Sequence, residues 1–258
     1  MDDVARSSEQ VMPFPAEVIP ETANADIPAP LEPVAIAPVI PSYLQDTYYW
    51  AYINPRNVKL LDRDLVVRTI LWQQHRRLQR SAFVEIVPGQ SVLQPACVYG
   101  SFSPCLAEHI GREGSLDVVD VTEIQVINTR RKLEAYPQAT VHHGDALQLG
   151  SKAYDVVCCY FLLHELPDAQ KYEAVNLFLK KVVPGGKVVF VDYHKPRWWH
   201  PLKLITSLVF DTLEPFAKGL WRNEIKDFAD NPDQYSWSKE TCFGKLFQKV
   251  VATRIDQL

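Results

Sequence analysis

Glycine is scarce where this chain has most use for it. Its 258 residues include only 10 glycines. The stretch Val92-Leu93-Gln94-Pro95-Ala96-Cys97-Val98-Tyr99-Gly100 keeps one of them, at its end. The pattern predicts a strand over Ser91 to Cys97 running into a helix over Phe102 to Ile110. In doubly wound folds a nucleotide lies against that first strand-to-helix turn, where a Cβ would collide with it. Pro95, Val98 and Tyr99 therefore exclude the ordinary dinucleotide fingerprint, and the loop is either abandoned or rebuilt.

Other absences narrow the class. No apolar run is long enough to span a bilayer. The five cysteines (Cys97, Cys105, Cys158, Cys159, Cys242) have no Cys-x-x-Cys metal spacing. Nothing calls for disulfides, which fits a reducing cytoplasm. The chain start lacks the basic and apolar regions of a signal peptide and the arginines of a mitochondrial presequence. With a net charge of −4, and His75, Arg76, Arg77 and Arg80 as the one dense basic patch, no nucleic-acid partner is expected. There is no internal repeat, and the sequence is silent on oligomeric state.

Residues 1–41 differ from the rest. They hold eight prolines from Pro13 to Pro41, no glycine, and one Arg against seven acids. That segment carries −6, so a total of −4 leaves +2 for residues 42–258. Such a Pro/Ala-rich acidic tail is expected to be disordered or extended. Residues 42–258 are long and apolar enough for one domain with a full core.

Strands and helices alternate through that domain. Gly114 to Asp120 reads as a second strand ending in a carboxylate, and an acid there accepts hydrogen bonds from a cofactor's ribose diol. A helix follows over Val121 to Tyr136, then a short strand at Thr140-Val141-His142 with Gly144-Asp145-Ala146 at its end. His142 and His143 point to opposite faces, one packed and one solvated. Tyr154 to Tyr160 is a buried fourth strand with His164-Glu165 on its exit loop. Lys171 to Val183 is a helix, and Lys187 to Tyr193 a fifth strand. This rhythm predicts a Rossmann-like α/β fold, a mostly parallel sheet with helices on both faces.

The order of these elements resembles a class I S-adenosylmethionine-dependent methyltransferase. The resemblance implies that Asp145, with Ala146 beside it, holds adenine, while Val98 and Gly100 border the cofactor's methionine end. A closer resemblance rests on Tyr48-Tyr49-Trp50-Ala51-Tyr52, the Pro95-to-Gly100 loop, Phe102-Ser103-Pro104 and Thr241 to Val251. Over about Tyr43 to Arg254 the chain is similar to the rhodoquinone biosynthesis family RquA. That resemblance implies replacement of a ubiquinone ring methoxy group by an amino group, S-adenosylmethionine as amino donor, and assistance by Mn2+.

Bulk at Val98 and Tyr99 is expected to displace the methionine end while Asp120 and Asp145 hold ribose and adenine. Tyr99 either bonds a cofactor carboxylate or quinone oxygen, or merely packs. His164 is placed to move protons near neutrality, and with Glu165, Asp192 or His194 it is a candidate to bind the divalent ion. Tyr48, Trp50, Tyr193 and His194 are candidates for contact with the substrate ring, with Tyr49 and Tyr52 in the same aromatic cluster. Residues 195–222 read as a substrate cap or membrane-contact helix, with Leu202, Ile205, Val209, Leu213, Phe216 and Leu220 on one face and Trp198-Trp199 at its start. A peripheral place at the inner face of the cytoplasmic membrane follows from that reading. The competing functions are an ordinary methyltransferase acting on a quinone or small aromatic, and a non-catalytic quinone-binding protein. A nicotinamide dehydrogenase fits the loop less well.

Overall fold

The computed structural model describes residues 38–255. The expected acidic tail lies outside the described residues up to residue 37. Three short helices precede the core: α1 (Ser42–Tyr48), α2 (Pro55–Leu61) and α3 (Asp64–Ile70), with a π-helical turn at Tyr49–Ile53 between the first two. Next come α4 (His75–Phe83), β1 (Ser91–Gln94), α5 (Phe102–Ile110), β2 (Ser115–Asp120), α6 (Glu123–Leu133), β3 (Ala139–His143) and β4 (Tyr154–Tyr160). The chain continues through α7 (Asp168–Lys180), β5 (Val182–Tyr193), α8 (Lys203–Thr212), α9 (Gly219–Arg222), β6 (Tyr235–Cys242) and β7 (Phe247–Arg254).

The seven strands form one sheet in the order β3-β2-β1-β4-β5-β7-β6. The first five are parallel and β7 runs antiparallel to both β5 and β6. The fold is therefore the mixed α/β one that the alternation implied. The last hairpin begins at Tyr235, upstream of the Thr241 to Val251 motif that anchored the sequence reading. Strand alternation supplies both faces of the sheet. Val156 and Cys158 of β4 pack with Leu106, Ile110 and Val126 on one side. Val157 and Cys159 pack with Val175, Phe178 and Leu179 on the other. This is the double burial expected of parallel strands. Pro184-Gly185-Gly186 does not separate a helix from a strand as expected: β5 runs through it, and the pairing with β4 shifts register between Tyr154 and Val156.

The cap differs more. The six apolar residues expected on one helical face do not share a helix, because α8 stops at Thr212 and Phe216 lies in the turns before α9. Lys171 of α7 fixes that break. Its fully buried ammonium donates to the carbonyls of Leu166 (2.5 Å) and Phe216 (2.9 Å) and to Asp168 Oδ1 (3.0 Å). Gly219 closes over the same ammonium, and a Cβ there would lie 2.3 Å from Asp168 Oδ1. The segment after α8 is thus tied to the exit loop of β4. Lys171→Met leaves the buried Leu166 carbonyl unpaired, while that of Phe216 keeps Gly219 N at 3.1 Å, and is expected to cost about 1 to 3 kcal/mol in urea unfolding; a loss below about 0.5 kcal/mol would show that the tie contributes nothing net.

Candidate functional site

The carboxyl ends of β1, β2 and β4 open into a cavity of about 600 Å³, roofed by the N-terminal helices and by α8. This is where ligands gather in open α/β sheets. Asp120 and Asp145 both line it. Asp120 is fixed by its own strand end: Oδ1 accepts from Thr122 N (2.8 Å) and Oγ1 (2.6 Å), and Oδ2 from Cys97 N (2.9 Å). Burial pushes its carboxyl up against the downward pull of those bonds. Asp145 Oδ1 accepts from Leu147 N (2.8 Å), which holds the turn containing Ala146. Ala146 lines the cavity as well. On the neighbouring strand His142 bonds Asp117 (2.9 Å) while His143 is exposed, as alternation required.

The loop after β1 is held by charge rather than by glycine. Lys132 of α6 donates to the carbonyls of Val98 (3.1 Å) and Gly100 (3.0 Å) and to Asp62 Oδ1 (2.8 Å). Asp62, just beyond α2, also accepts from Gly100 N (2.9 Å) and Asn128 (2.9 Å). Gly100 has φ 75°, and a Cβ on it would lie 2.9 Å from Asp64 Oδ1. Its glycine is thus required by the contact with α3, and it lies outside the cavity lining. Val98 and Tyr99 do line the cavity. The Tyr99 hydroxyl donates to the carbonyl of Ala51 and accepts from Gln125 Nε2 (2.7 Å), and its ring stacks on Tyr52 at 5.6 Å. Tyr99 therefore presents a ring face to the cavity and commits its proton to the protein.

Opposite the loop lies a buried ionisable group. His164 Nδ1 sits 2.9 Å from Asp192 Oδ1, an ion-pair distance, though the ring is not aligned for a straight hydrogen bond. Burial pulls the imidazole down, but Asp192, helped by Glu214 and Glu165, outweighs it and lifts His164 to about 9. Glu165 accepts a hydrogen bond from the Tyr52 hydroxyl, and its Oε1 is 3.8 Å from His164 Nε2. Burial, opposed by His164 and reinforced by Glu214, raises Glu165 to about 8. Glu214, just after α8, is raised for the same first reason. The Tyr48 hydroxyl is turned toward it, yet neither Tyr48 Oη nor Glu214 Oε2 has an aligned hydrogen-bond partner. Phe161, between these acids and β4, holds φ 53°, a strained conformation for a bulky residue and one that collects at functional sites.

Of the aromatic candidates, Trp50 and Tyr193 line the cavity. Tyr48 is buried behind Tyr52, 6.1 Å between ring centroids, and does not reach the lining. His194 faces a separate groove beside Trp199 and Lys245, with Nδ1 near the carbonyl oxygens of Lys195 (3.0 Å) and Lys245 (2.9 Å). Tyr193 and His194 are consecutive, so the alternation that splits His142 from His143 splits them too. Tyr43 and Glu214 line the cavity without having been singled out, and Tyr52 displaces Tyr48 within the expected cluster. Mn2+ does not fit this set. Among the described residues no three His, Cys, Asp or Glu side chains are placed to share an ion. Asp192 accepts from Tyr193 N (2.7 Å) and His164 N (3.2 Å), and His194 is turned away.

The pH response has a defined sign. Glu165 and His164 both bind protons more tightly folded, at about 8 and 9, than at their ordinary 4.5 and 6.5. The stability they contribute is complete below the ordinary values and is lost as pH rises through the folded ones. Melting temperature is expected to fall between about pH 5 and 9, and Glu165→Gln to flatten that slope, most of all below about pH 8. A variant with the parental slope would place the titration elsewhere.

Residues 92–186 match the family model described as a methyltransferase domain. The demethylmenaquinone methyltransferase of Bacillus cereus (strain ATCC 10987) is 27% identical over 213 residues, 76% of this chain and 85% of that protein. The protein of the same name from Shouchella clausii is 26% identical over 184 residues, 69% of this chain and 74% of its own length. Among solved structures, a SAM-dependent methyltransferase from Aquifex aeolicus superposes with a TM-score of 0.52 at 18% identity, over 79% of this chain and all of that one (100%). The chain has the class I S-adenosylmethionine-dependent methyltransferase fold, and the family match lies within its core, over residues 92–186.

Proposed function

We propose that this protein is an S-adenosylmethionine-dependent transferase acting on the ring of a polyprenyl quinone. One observation carries the reading: the cavity passes without a break from the strand-end acids Asp120 and Asp145 to an aromatic and apolar half that opens beside α8. Asp120 is the ribose acceptor and Asp145 the adenine acceptor, both already held in place by backbone amides. Bound there, the cofactor supplies an electrophilic sulfonium. Phe161, Tyr193 and Phe210 offer the ring a wall of edge-to-face aromatics, with Tyr193 4.9 Å from Phe210 and 5.3 Å from Phe161. His164, paired to Asp192 beneath that wall, holds the proton available to a quinone oxygen.

Two ring chemistries divide this reading. Exchange of a ubiquinone methoxy for an amino group, giving rhodoquinone, is supported by the loop: Cys97, Val98 and Tyr99 fill the space in which a glycine loop receives the methionine end. Methyl transfer is supported by the relatives named demethylmenaquinone methyltransferase. Incubation with ubiquinone and S-adenosylmethionine carrying nitrogen-15 at its amino group separates them by mass spectrometry of the lipids. Labelled aminoquinone establishes the exchange. A demethylated quinone gaining a methyl group, with no label in any lipid, establishes the second chemistry instead.

A membrane surface is the proposed source of the substrate. No helix among the described residues is long and apolar enough to cross a bilayer. The outer face of α8 is nevertheless apolar, with Leu204 82% and Leu208 66% exposed, and Trp198 before it is 84% exposed. Ile205 and Val209 of the same helix line the cavity, so α8 is apolar toward lipid and ligand alike. Arg197 lies 5.5 Å from the Trp199 ring, a basic and aromatic pairing suited to an anionic interface. Flotation with anionic vesicles is expected for the parent protein and to be lost in Leu204→Glu/Leu208→Glu. Equal flotation of both proteins would remove α8 as the contact.

A further inference from the structure

The groove that His194 faces, about 510 Å³ in volume, shares no lining residue with the strand-end cavity. Its charge is almost all of one sign. Lys195, Arg197, Arg222 and Lys245 line it, all exposed, and among the described lining residues Glu224 is the single acid. Glu224 is already paired with Lys239, and Arg222 has only Asp168, at 3.8 Å between two exposed side chains. Among the described residues no acid comes within salt-bridge reach of Lys195, Arg197 or Lys245.

Two segments distant in sequence are stitched together to make this groove. The loop leaving β5 donates from His194 N to the Leu246 carbonyl (2.8 Å) and from Arg197 N to that of Gly244 (2.9 Å). His194 Nδ1 takes the carbonyls of Lys195 (3.0 Å) and Lys245 (2.9 Å), so it is the nitrogen that carries the proton. Phe243, Gly244 and Lys245, in the turn between β6 and β7, have φ 50°, 62° and 68°. Three left-handed residues in succession, two of them with side chains, persist only where the surroundings fix them. The His200 ring is part of that surrounding, since a Cβ on Gly244 would run into it. Lys195, Arg197 and Lys245 thus stand on one fixed frame, and its bonded carbonyls are not free to receive them.

We propose that this groove receives the phosphate of an anionic glycerophospholipid head group. The proposal rests on the membrane reading above and adds a defined head-group site to it. Charge sets the sign of the ligand: three cations without an internal partner converge on one groove, and Lys and Arg donors suit phosphate oxygens. The rim selects a lipid over a soluble anion. Trp198 and Trp199 stand exposed on it, and the exposed Leu204 and Leu208 of α8 follow in the chain. Tryptophan beside basic residues, continuing into an apolar helix face, is the composition of a bilayer interface, where indole rings sit at head-group level. A soluble anion would call for the cations but not for the exposed indoles.

Vesicle flotation with the full chain separates a head-group site from diffuse attraction. The parent is expected to bind vesicles of phosphatidylcholine mixed with phosphatidylglycerol more tightly than vesicles of phosphatidylcholine alone. Lys195→Gln/Lys245→Gln is expected to weaken binding to the mixed vesicles by about 10- to 50-fold, at an unchanged melting temperature. Should that pair disturb the turn, Arg197→Gln carries the test, with a loss of about 3- to 10-fold. Arg112→Gln/Lys180→Gln removes the same charge from exposed positions just past α5 and at the end of α7, on the opposite edge of the sheet. That distance exceeds the screening length, so binding is expected to stay within about 3-fold of the parent. Equal weakening by both pairs, or by neither, overturns the site. If the groove variant floats like the parent but loses soluble glycerol phosphate in titration calorimetry, the occupant is a soluble anion and the lipid assignment fails. A parent that binds both kinds of vesicle equally overturns the site and leaves the membrane reading standing; one that binds neither overturns both.

Discussion

The contact on which the site depends is the one between Lys132 and Asp62. A loop with few glycines cannot turn its amides freely toward a ligand, and its carbonyls are left facing inward. Lys132 satisfies two of them and Asp62 neutralises Lys132, at 2.8 Å with both side chains largely buried. Because Asp62 follows α2 and Lys132 belongs to α6, the same pair fastens the N-terminal helices to the sheet. Those helices then bring Tyr52 over Tyr99 and seat the Tyr99 hydroxyl on Ala51. The roof of the cavity and the shape of its floor are therefore one construction. Removing either charge strands the other beside unpaired backbone, the costly way to break such a pair.

The same constraint explains what was legible in the sequence. The sheet was readable because β2, β4 and β5 carry short β-branched runs buried on both faces, and Asp120 and Asp145 stood out as acids at or just past the ends of β2 and β3. Long-range pairing was not readable. Nothing local tells that Asp62 meets Lys132, 70 residues away, so Gly100 looked like a ligand glycine when its φ of 75° answers to α3. Within the aromatic cluster the spacing gave the right segment and the wrong tyrosine. The π-helical turn at Tyr49–Ile53 rotates the chain so that Tyr52 faces the cavity and Tyr48 packs behind it. Helical periodicity also carried the cap past Thr212, where the chain breaks to meet the Lys171 ammonium. Glu214 lies just past that break, and no periodic signal marks it.

The electrostatics of the cavity follow from where cations were placed. Lys132 lies behind the loop, Lys171 beneath the cap and Lys152 on Asp117. Each is used to hold backbone or a neighbouring acid, and none reaches the cavity. The interior is left with carboxylates under an aromatic roof, a low-dielectric setting in which an acid keeps its proton until a positive group arrives. His164 and Asp192 compensate each other, so the pair adds no net charge.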